Sequence, residues 1–355
     1  MPTEKKLIFA VIVLAALGGA VALQRQKQSA DAVAHSVEGE AANLPKIKIT
    51  EDDTKKIDKV EITRGGDEEK KEPRETIVLL KKGEEDWDLD KPVQAKASAS
   101  TVKSMVDDLK RLEVKELIDS SKDSYDKYKV TDDKALHAVF YKGKDVVLDA
   151  YFGEDGSRGQ MTRIAGKDGV YAVKGYSSYT FNKDAKSWRD KTILKFEEND
   201  VTKVGLVDEN GTFSFEKAGD DWKAKFAKAK GGSAADIEKF DKTKLESLVR
   251  AYKALSAADF GDGKSLADTG LDKPIATLTF GMKDGGKQEV SFGTTADSNR
   301  WLKKSDADQI WSVSFWAGDW ATANVDKFQK TDDKKAADDK KDDKKKKSSA
   351  ISVKD

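Results

Sequence analysis

The hydrophobic positions of this chain fall into three patterns. Leu7 to Leu23, LIFAVIVLAALGGAVAL, is one uninterrupted apolar run. From about residue 46 to residue 330, short alternating segments of the kind that form half-buried strands are interrupted by two stretches of helical period. From residue 331 onward apolar residues become too sparse to build a core.

The middle region repeats itself. Ile57-Asp58-Lys59-Val60-Glu61-Ile62 aligns with Val201-Thr202-Lys203-Val204-Gly205-Leu206, and Glu85-Asp86-Trp87 with Asp220-Asp221-Trp222. A helix follows in each copy. Val102, Met105, Val106, Leu109 and Leu112 form one apolar stripe, and Leu245, Leu248, Val249, Tyr252 and Leu255 repeat its spacing. Ser98, Ser100 or Thr101 caps the first helix, and Asp241 or Thr243 the second. After each helix the correspondence holds: His137–Tyr141 matches Ala276–Phe280, Phe152-Gly153 matches Phe292-Gly293, and Val170–Val173 matches Ile310–Val313. The first copy alone carries a charged insert, Gly65–Arg74, between its first two strands. Asn210-Gly211 and Asp168-Gly169 each separate two strand-like segments and predict hairpin turns with positive φ at both positions. These patterns predict an α+β fold made by tandem duplication, with one copy over residues 46–195 and the next over 196–330. Each copy should pack an antiparallel sheet of about four to six strands against its helix.

The apolar run at 7–23 is long for the core of a cleaved signal, about 7–15 residues, and short for a spanning helix, about 17–25. Lys5 and Lys6 precede it; Arg25 and Lys27 follow it. It is expected to be an uncleaved N-terminal transmembrane helix with a short cytoplasmic stub, placing the rest of the chain outside a bacterial inner membrane. Ala20-Val21-Ala22 offers the alternative of signal cleavage. Residues 24–45 read as a flexible tether. Residues 331–355, alternating Asp and Lys blocks without aromatics, read as a disordered tail.

Composition narrows the chemistry. The 355 residues hold 65 Lys+Arg and 65 Asp+Glu, no Cys and two His, His35 and His137. Balanced charge gives a nucleic-acid partner no support. Without Cys there is no disulfide, thiol nucleophile, Cys-bound metal or lipoprotein acylation. Two His argue against a multi-His metal centre and a Ser-His-Asp triad. No phosphate-binding G-x-x-x-x-G-K-[ST] or G-x-S-x-G element occurs. Asp86, Asp88 and Asp90 start like a calcium loop, but Lys91 stands where its glycine belongs and Ala97 where its final acid belongs. A glycosidase needs two particular carboxylates, and nothing singles out one pair. No catalytic residue, metal or cofactor is therefore expected, and the chain is not expected to be an enzyme.

Candidate surfaces remain. Tyr176, Tyr179 and Phe181 in the first copy, and Trp316 and Trp320 in the second, can close each core or form a partner or ligand surface. Core packing is the expected reading. Arg189-Asp190 is expected to be an ion pair ordering the junction between the copies, with a binding role as the alternative. His137 is expected at a core edge or on the surface.

The order of motifs resembles a known family. Trp87, Leu89 and Pro92 form W-x-L-x-x-P, followed by the capped helix, Tyr128-Lys129-Val130, Phe152-Gly153, Val170-Tyr171-Ala172-Val173 and Trp188-Arg189-Asp190-Lys191. Over about residues 45–330 this resembles the bacterial domain-of-unknown-function family 4340. Where that family tends to have Gly-Leu, the first copy has Lys129-Val130 and the second keeps Gly270-Leu271. The resemblance implies a membrane-tethered extracytoplasmic accessory subunit beside an ABC-type transport system of the gliding-motility class, with an ABC permease as partner. It supplies no catalytic residues. The alternative expectation is a periplasmic glycan- or lipid-binding module.

Overall fold

A computed structural model of the chain describes residues 44–65 and 74–331. The expected membrane span, most of the tether, His35, most of the charged insert and nearly all of the tail lie outside the described residues. Among the described residues no helix is long and apolar enough to cross a membrane. The chain divides into two compact units between Asp190 and Lys191.

The first unit is built on β1 (Lys59–Arg64), β2 (Glu75–Lys81), β3 (Trp87–Lys91), β4 (Ala95–Lys96), β5 (Glu113–Asp119), β6 (Leu136–Lys142), β7 (Asp145–Gly156), β8 (Gly159–Ile164) and β9 (Val170–Lys174). They form one sheet in the order β4-β3-β2-β1-β6-β7-β8-β9-β5, with every neighbour antiparallel. Helices α1 (Glu51–Lys56), α2 (Ala99–Asp108) and α3 (Ala185–Trp188) accompany it. The second unit repeats this with β10 (Val201–Asp208), β11 (Gly211–Ala218), β12 (Asp221–Lys228), β13 (Ala235–Asp236), β14 (Asp259–Phe260), β15 (Ala276–Met282), β16 (Lys287–Ala296), β17 (Asn299–Lys304) and β18 (Ile310–Ser314), and with helices α4 (Lys242–Tyr252) and α5 (Phe315–Gly318). Its order, β13-β12-β11-β10-β15-β16-β17-β18-β14, is that of the first sheet strand for strand.

Each sheet thus has nine strands rather than four to six. The missed ones are edge strands. β4 and β13 have two residues each, too few to show a period, and β5 reads EVKELID, with charges at positions a core strand would fill with apolar groups. Charged, short edges are how antiparallel sheets avoid recruiting further strands.

The helical stripes are core faces. Val102, Met105 and Val106 of α2, with Leu109 and Leu112 just beyond it, are buried against Val60, Ile62, Ala138, Phe140 and Phe152. In the second unit Leu245, Leu248, Val249 and Tyr252 of α4 are buried with Phe213, Phe215, Phe280 and Phe292. Burying one such side chain is worth about 1.5–3 kcal/mol, so these stripes fix which face of each helix meets the sheet. Ser98 caps α2 by accepting from the Thr101 amide, and Asp241 caps α4 by accepting from the Thr243 amide.

The turns work differently from their dipeptide signals. β10 and β11 are joined at Asn210-Gly211, but only Gly211 has positive φ. The turn is held instead by Asp208, whose Oδ1 accepts from the Asn210 amide at 2.8 Å and the Gly211 amide at 3.1 Å. Asp168-Gly169 closes a longer loop between β8 and β9, again with positive φ at the glycine alone.

Both units carry a tight crossing behind the Phe-Gly pair. A Cβ at Gly153 would lie 2.1 Å from the Tyr128 carbonyl oxygen, and one at Gly293 2.0 Å from that of Thr269. The next amides, Glu154 and Thr294, donate to those same carbonyls. The residue after each carbonyl is left-handed: Gly270 at φ 67° and Lys129 at φ 55°. The departure from Gly-Leu in the first copy therefore changes the side chain and keeps the backbone.

Candidate functional site

The five aromatic candidates separate once the segments after β9 and β18 are placed. In the first unit β9 ends at Gly175, where φ is +77° and a Cβ would sit 1.8 Å from the Arg111 carbonyl oxygen, so only glycine fits. This turn drives Tyr176 into the core. Its hydroxyl donates to the Met105 carbonyl at 3.1 Å, and its ring stacks on Phe181 at 5.1 Å. Burial holds the Tyr176 phenol well above its ordinary pKa. Tyr179 points the other way and is 83% exposed, with the Lys183 ammonium 6.0 Å from its ring centroid.

A cleft of about 460 Å³ opens beside this segment, with a mixed wall of polar groups, Asp108, Arg111, Gln160 and Lys174 among them, and apolar ones such as Val173 and Tyr176. Arg111 and Asp108 form an ion pair at 2.5 Å on its wall. Gln160 is buried and spoken for: its Nε2 donates to the Gly153 carbonyl and its Oε1 accepts from the Ser178 amide, both at 2.8 Å. The cleft presents both signs of charge around a fixed amide, suited to a polar, hydrogen-bonding ligand.

In the second unit β18 runs into α5. Ala317, Gly318 and Ala321 turn inward, and a Cβ at Gly318 would lie 3.1 Å from Arg300 Nε. Arg300 donates to the Gly293 carbonyl at 3.1 Å, the counterpart of the Gln160 bond to Gly153. Phe315 and Trp316 are forced outward, 64% and 56% exposed. Trp320 is half-buried against Phe328, with the Lys327 ammonium 4.3 Å from its ring centroid. Burial lowers the pKa of that lysine. Tyr252 of α4 donates its hydroxyl to the Ala317 carbonyl, and burial raises its pKa.

Around Arg189 and Asp190 the backbone has a definite task. Arg189 is buried and pairs with Ala97 as an isolated antiparallel bridge. The Asp190 amide donates to the Lys96 carbonyl and the Ser98 amide to the Trp188 carbonyl, both at 2.8 Å. The second unit closes the same way: Phe240 bridges Gln329, Asp241 donates to Phe328, and Lys330 donates to Lys239. Each chain segment thus returns to the N-terminal cap of its own helix.

One cluster escaped the sequence. On the sheet face away from α2, His137 of β6, Tyr151 of β7 and Arg163 of β8 stand side by side. The His137 and Tyr151 rings are parallel at 3.8 Å, and the Arg163 guanidinium lies 3.5 Å from the Tyr151 centroid. His137 Nε2 is 2.8 Å from Asp149 Oδ1; Arg163 donates to the Val130 carbonyl at 2.9 Å and pairs with Asp132. Strand pairing shifts the expected match by one residue, since Leu136 faces Phe152 as Ala276 faces Phe292, so the positions of the stack hold Thr277, Ser291 and Lys303 in the second unit. The period-2 alternation around His137 was a signal for its face. Its neighbours follow only from strand register, which the sequence does not print. With His137 Nε2 and the Arg163 guanidinium engaged and the rings stacked, the cluster stiffens the sheet. Among the described residues no group of three His, Cys, Asp or Glu could hold a metal ion.

The model of a protein family described as a domain of unknown function, DUF4340, matches residues 87–274. The chain belongs to that family. The match runs from Trp87 of β3 past the Asp190/Lys191 division to Pro274, just before β15, so it takes in the later part of one unit and the earlier part of the next. No curated protein and no solved structure matches the chain.

Proposed function

We propose that this protein is a non-catalytic accessory subunit, tethered by residues 7–23 to a bacterial inner membrane, that supports an ABC-type transport complex from the extracytoplasmic side. The observation that carries the reading is Tyr179. It is 83% exposed, a large aromatic left outside the core although its neighbours Tyr176 and Phe181 are buried, and Ser177 and Thr180 to either side of it in the chain line the cleft of the first unit. A rigid aromatic beside fixed polar groups is the usual make-up of a protein-binding hot spot. The apolar run at 7–23 and the family resemblance supply the membrane and the class of partner.

The test is a photo-crosslinking residue at position 179 in the full chain, in native membranes. Capture of an ABC permease or a subunit bound to it supports the reading, with loss of co-purification in Tyr179→Ala. Capture of lipid or glycan, or of nothing, counts against it. The second reading, a periplasmic glycan- or lipid-binding module, is favoured by the same cleft, whose charged and amide groups suit sugar hydroxyls. It predicts saturable glycan binding that Tyr179→Ala weakens without any protein partner.

A further inference from the structure

Phe315 and Trp316 are adjacent in sequence and both exposed. They project from the first turn of α5 because Ala317, Gly318 and Ala321 occupy the inward side. An aromatic side chain offers about 150–250 Å², so the exposed parts of the pair amount to roughly 250 Å². That is well short of the ~800 Å² that each partner contributes to a stable protein interface. It suits a different occupant. Trp and Phe partition into the headgroup layer of a bilayer, where an apolar ring meets hydrocarbon and a polar edge meets water. Lys327, 4.3 Å from the Trp320 ring centroid and donating to the Asp319 carbonyl at 2.7 Å, puts a cation next to the same segment.

Chain length decides whether the pair can reach a bilayer. Twenty residues, 24–43, separate the apolar run from the first described residue. Fully extended they span about 70 Å, more than the ~37 Å diameter of a compact unit of this size. Tethering also removes the need for strong binding, since a linked site works at an effective concentration in the millimolar range. We propose that Phe315 and Trp316 form a membrane-interface contact that seats the second unit on the lipid headgroups of the bilayer holding the N-terminal span. This rests on the anchor reading above and adds to it a second, peripheral point of contact.

The absence of cysteine allows a clean test. Asp319→Cys places an environment-sensitive fluorophore beside the pair, and Val207→Cys places one at an exposed side-chain position of the central strand β10 in the same unit. Each labelled full-length chain is reconstituted into phosphatidylcholine–phosphatidylglycerol vesicles with and without lipids quencher-labelled near the headgroup, and vesicle flotation is recorded on the same samples. The expected result is flotation of both, quenching at 319 at least threefold stronger than at 207, and loss of that difference in Phe315→Ser/Trp316→Ser while the circular dichroism melt is retained. Flotation with equal quenching at the two sites overturns the contact and leaves the anchor standing. A blue-shifted, unquenched label at 319 overturns it in favour of a protein partner or a second copy. Failure to float overturns the anchor, and the contact that rests on it.

Discussion

Lys129 holds a left-handed backbone at φ 55°, where the second unit has Gly270 at φ 67°. For an L-residue with a Cβ that conformation costs about 1–2 kcal/mol. Replacing Lys129 with glycine removes this cost but adds freedom to the unfolded chain worth about 0.5–1 kcal/mol. It also removes the Lys129–Glu154 ion pair, 2.8 Å long with both side chains at least half exposed, which contributes about 0–1 kcal/mol. The clean comparison is therefore Lys129→Gly against Lys129→Ala, because both lose the ion pair and only one keeps the strain. Glycine should be the more stable by about 0.5–1 kcal/mol, up to about a fivefold change in the open population. Hydrogen exchange read by mass spectrometry on β8 and β9 peptides reports the first unit separately, which matters because two compact units need not unfold together. In the second unit Gly270→Ala should do the opposite and more severely. It meets the same left-handed cost, and its Cβ would lie 2.7 Å from Thr294 Cγ2. If the glycine and alanine variants at 129 exchange equally, the shared crossing does not carry backbone strain and the reasoning fails.

Four further outcomes are expected. Gly293→Ala should destabilise by about 3 kcal/mol or abolish folding, because overpacking against an immobile carbonyl at 2.0 Å leaves nothing to give; soluble yield and a thermal melt decide it. Trp188→Phe should stay within about 1 kcal/mol of the parent, since the Trp188 Nε1 donor is buried with no acceptor among the described residues and its loss offsets the smaller ring, whereas Trp188→Ala should cost about 3–5 kcal/mol. Burial raises the Asp208 carboxyl above its ordinary 3.8, so the folded state binds that proton more tightly than the unfolded one. Its contribution to stability falls as pH rises from about 4, and Asp208→Asn should gain on the parent over that rise in parallel urea titrations. Asp53 has the opposite sign: hydrogen bonds from the Thr50 hydroxyl, Lys142 and the Thr50 amide hold its pKa well below the usual range. Its contribution is present above pH 3.8 and lost on acidification, so Asp53→Asn should flatten the acid side of the stability curve.

The duplication was legible because it is written in burial. Two helical stripes and the flanking strands must present apolar groups at fixed spacing, and Leu245, Leu248 and Val249 repeat what Val102, Met105 and Val106 do. The terminal aromatics were legible only as a group. Tyr176 is drawn inward by the turn at Gly175 and a hydrogen bond to Met105, while Phe315 and Trp316 are pushed outward by the small residues behind them; no local pattern distinguishes these cases. The His137–Tyr151–Arg163 stack depends on the pairing of three strands, information that resides in tertiary register. Lys129 is the middle case. Its departure from Gly-Leu was visible in the sequence, and the strained backbone that gives the departure meaning appears only in the fold.

The position of β1 and β10 in the middle of their sheets has a mechanical consequence. Each is the first strand of its unit yet lies between two antiparallel neighbours. A pull on the chain before Leu44 passes through α1 (Glu51–Lys56) and then meets a central strand, whose ladder bonds on both sides share the load along its axis. A pull from beyond Asp190 meets something weaker, the backbone bonds at Lys96 and Ser98 beside the two-residue strand β4, which yield one after another. Tension on this protein would thus unfasten the closing segment of the first unit before it withdrew β1, and the order of the two events could be read directly in a single-molecule stretching trace.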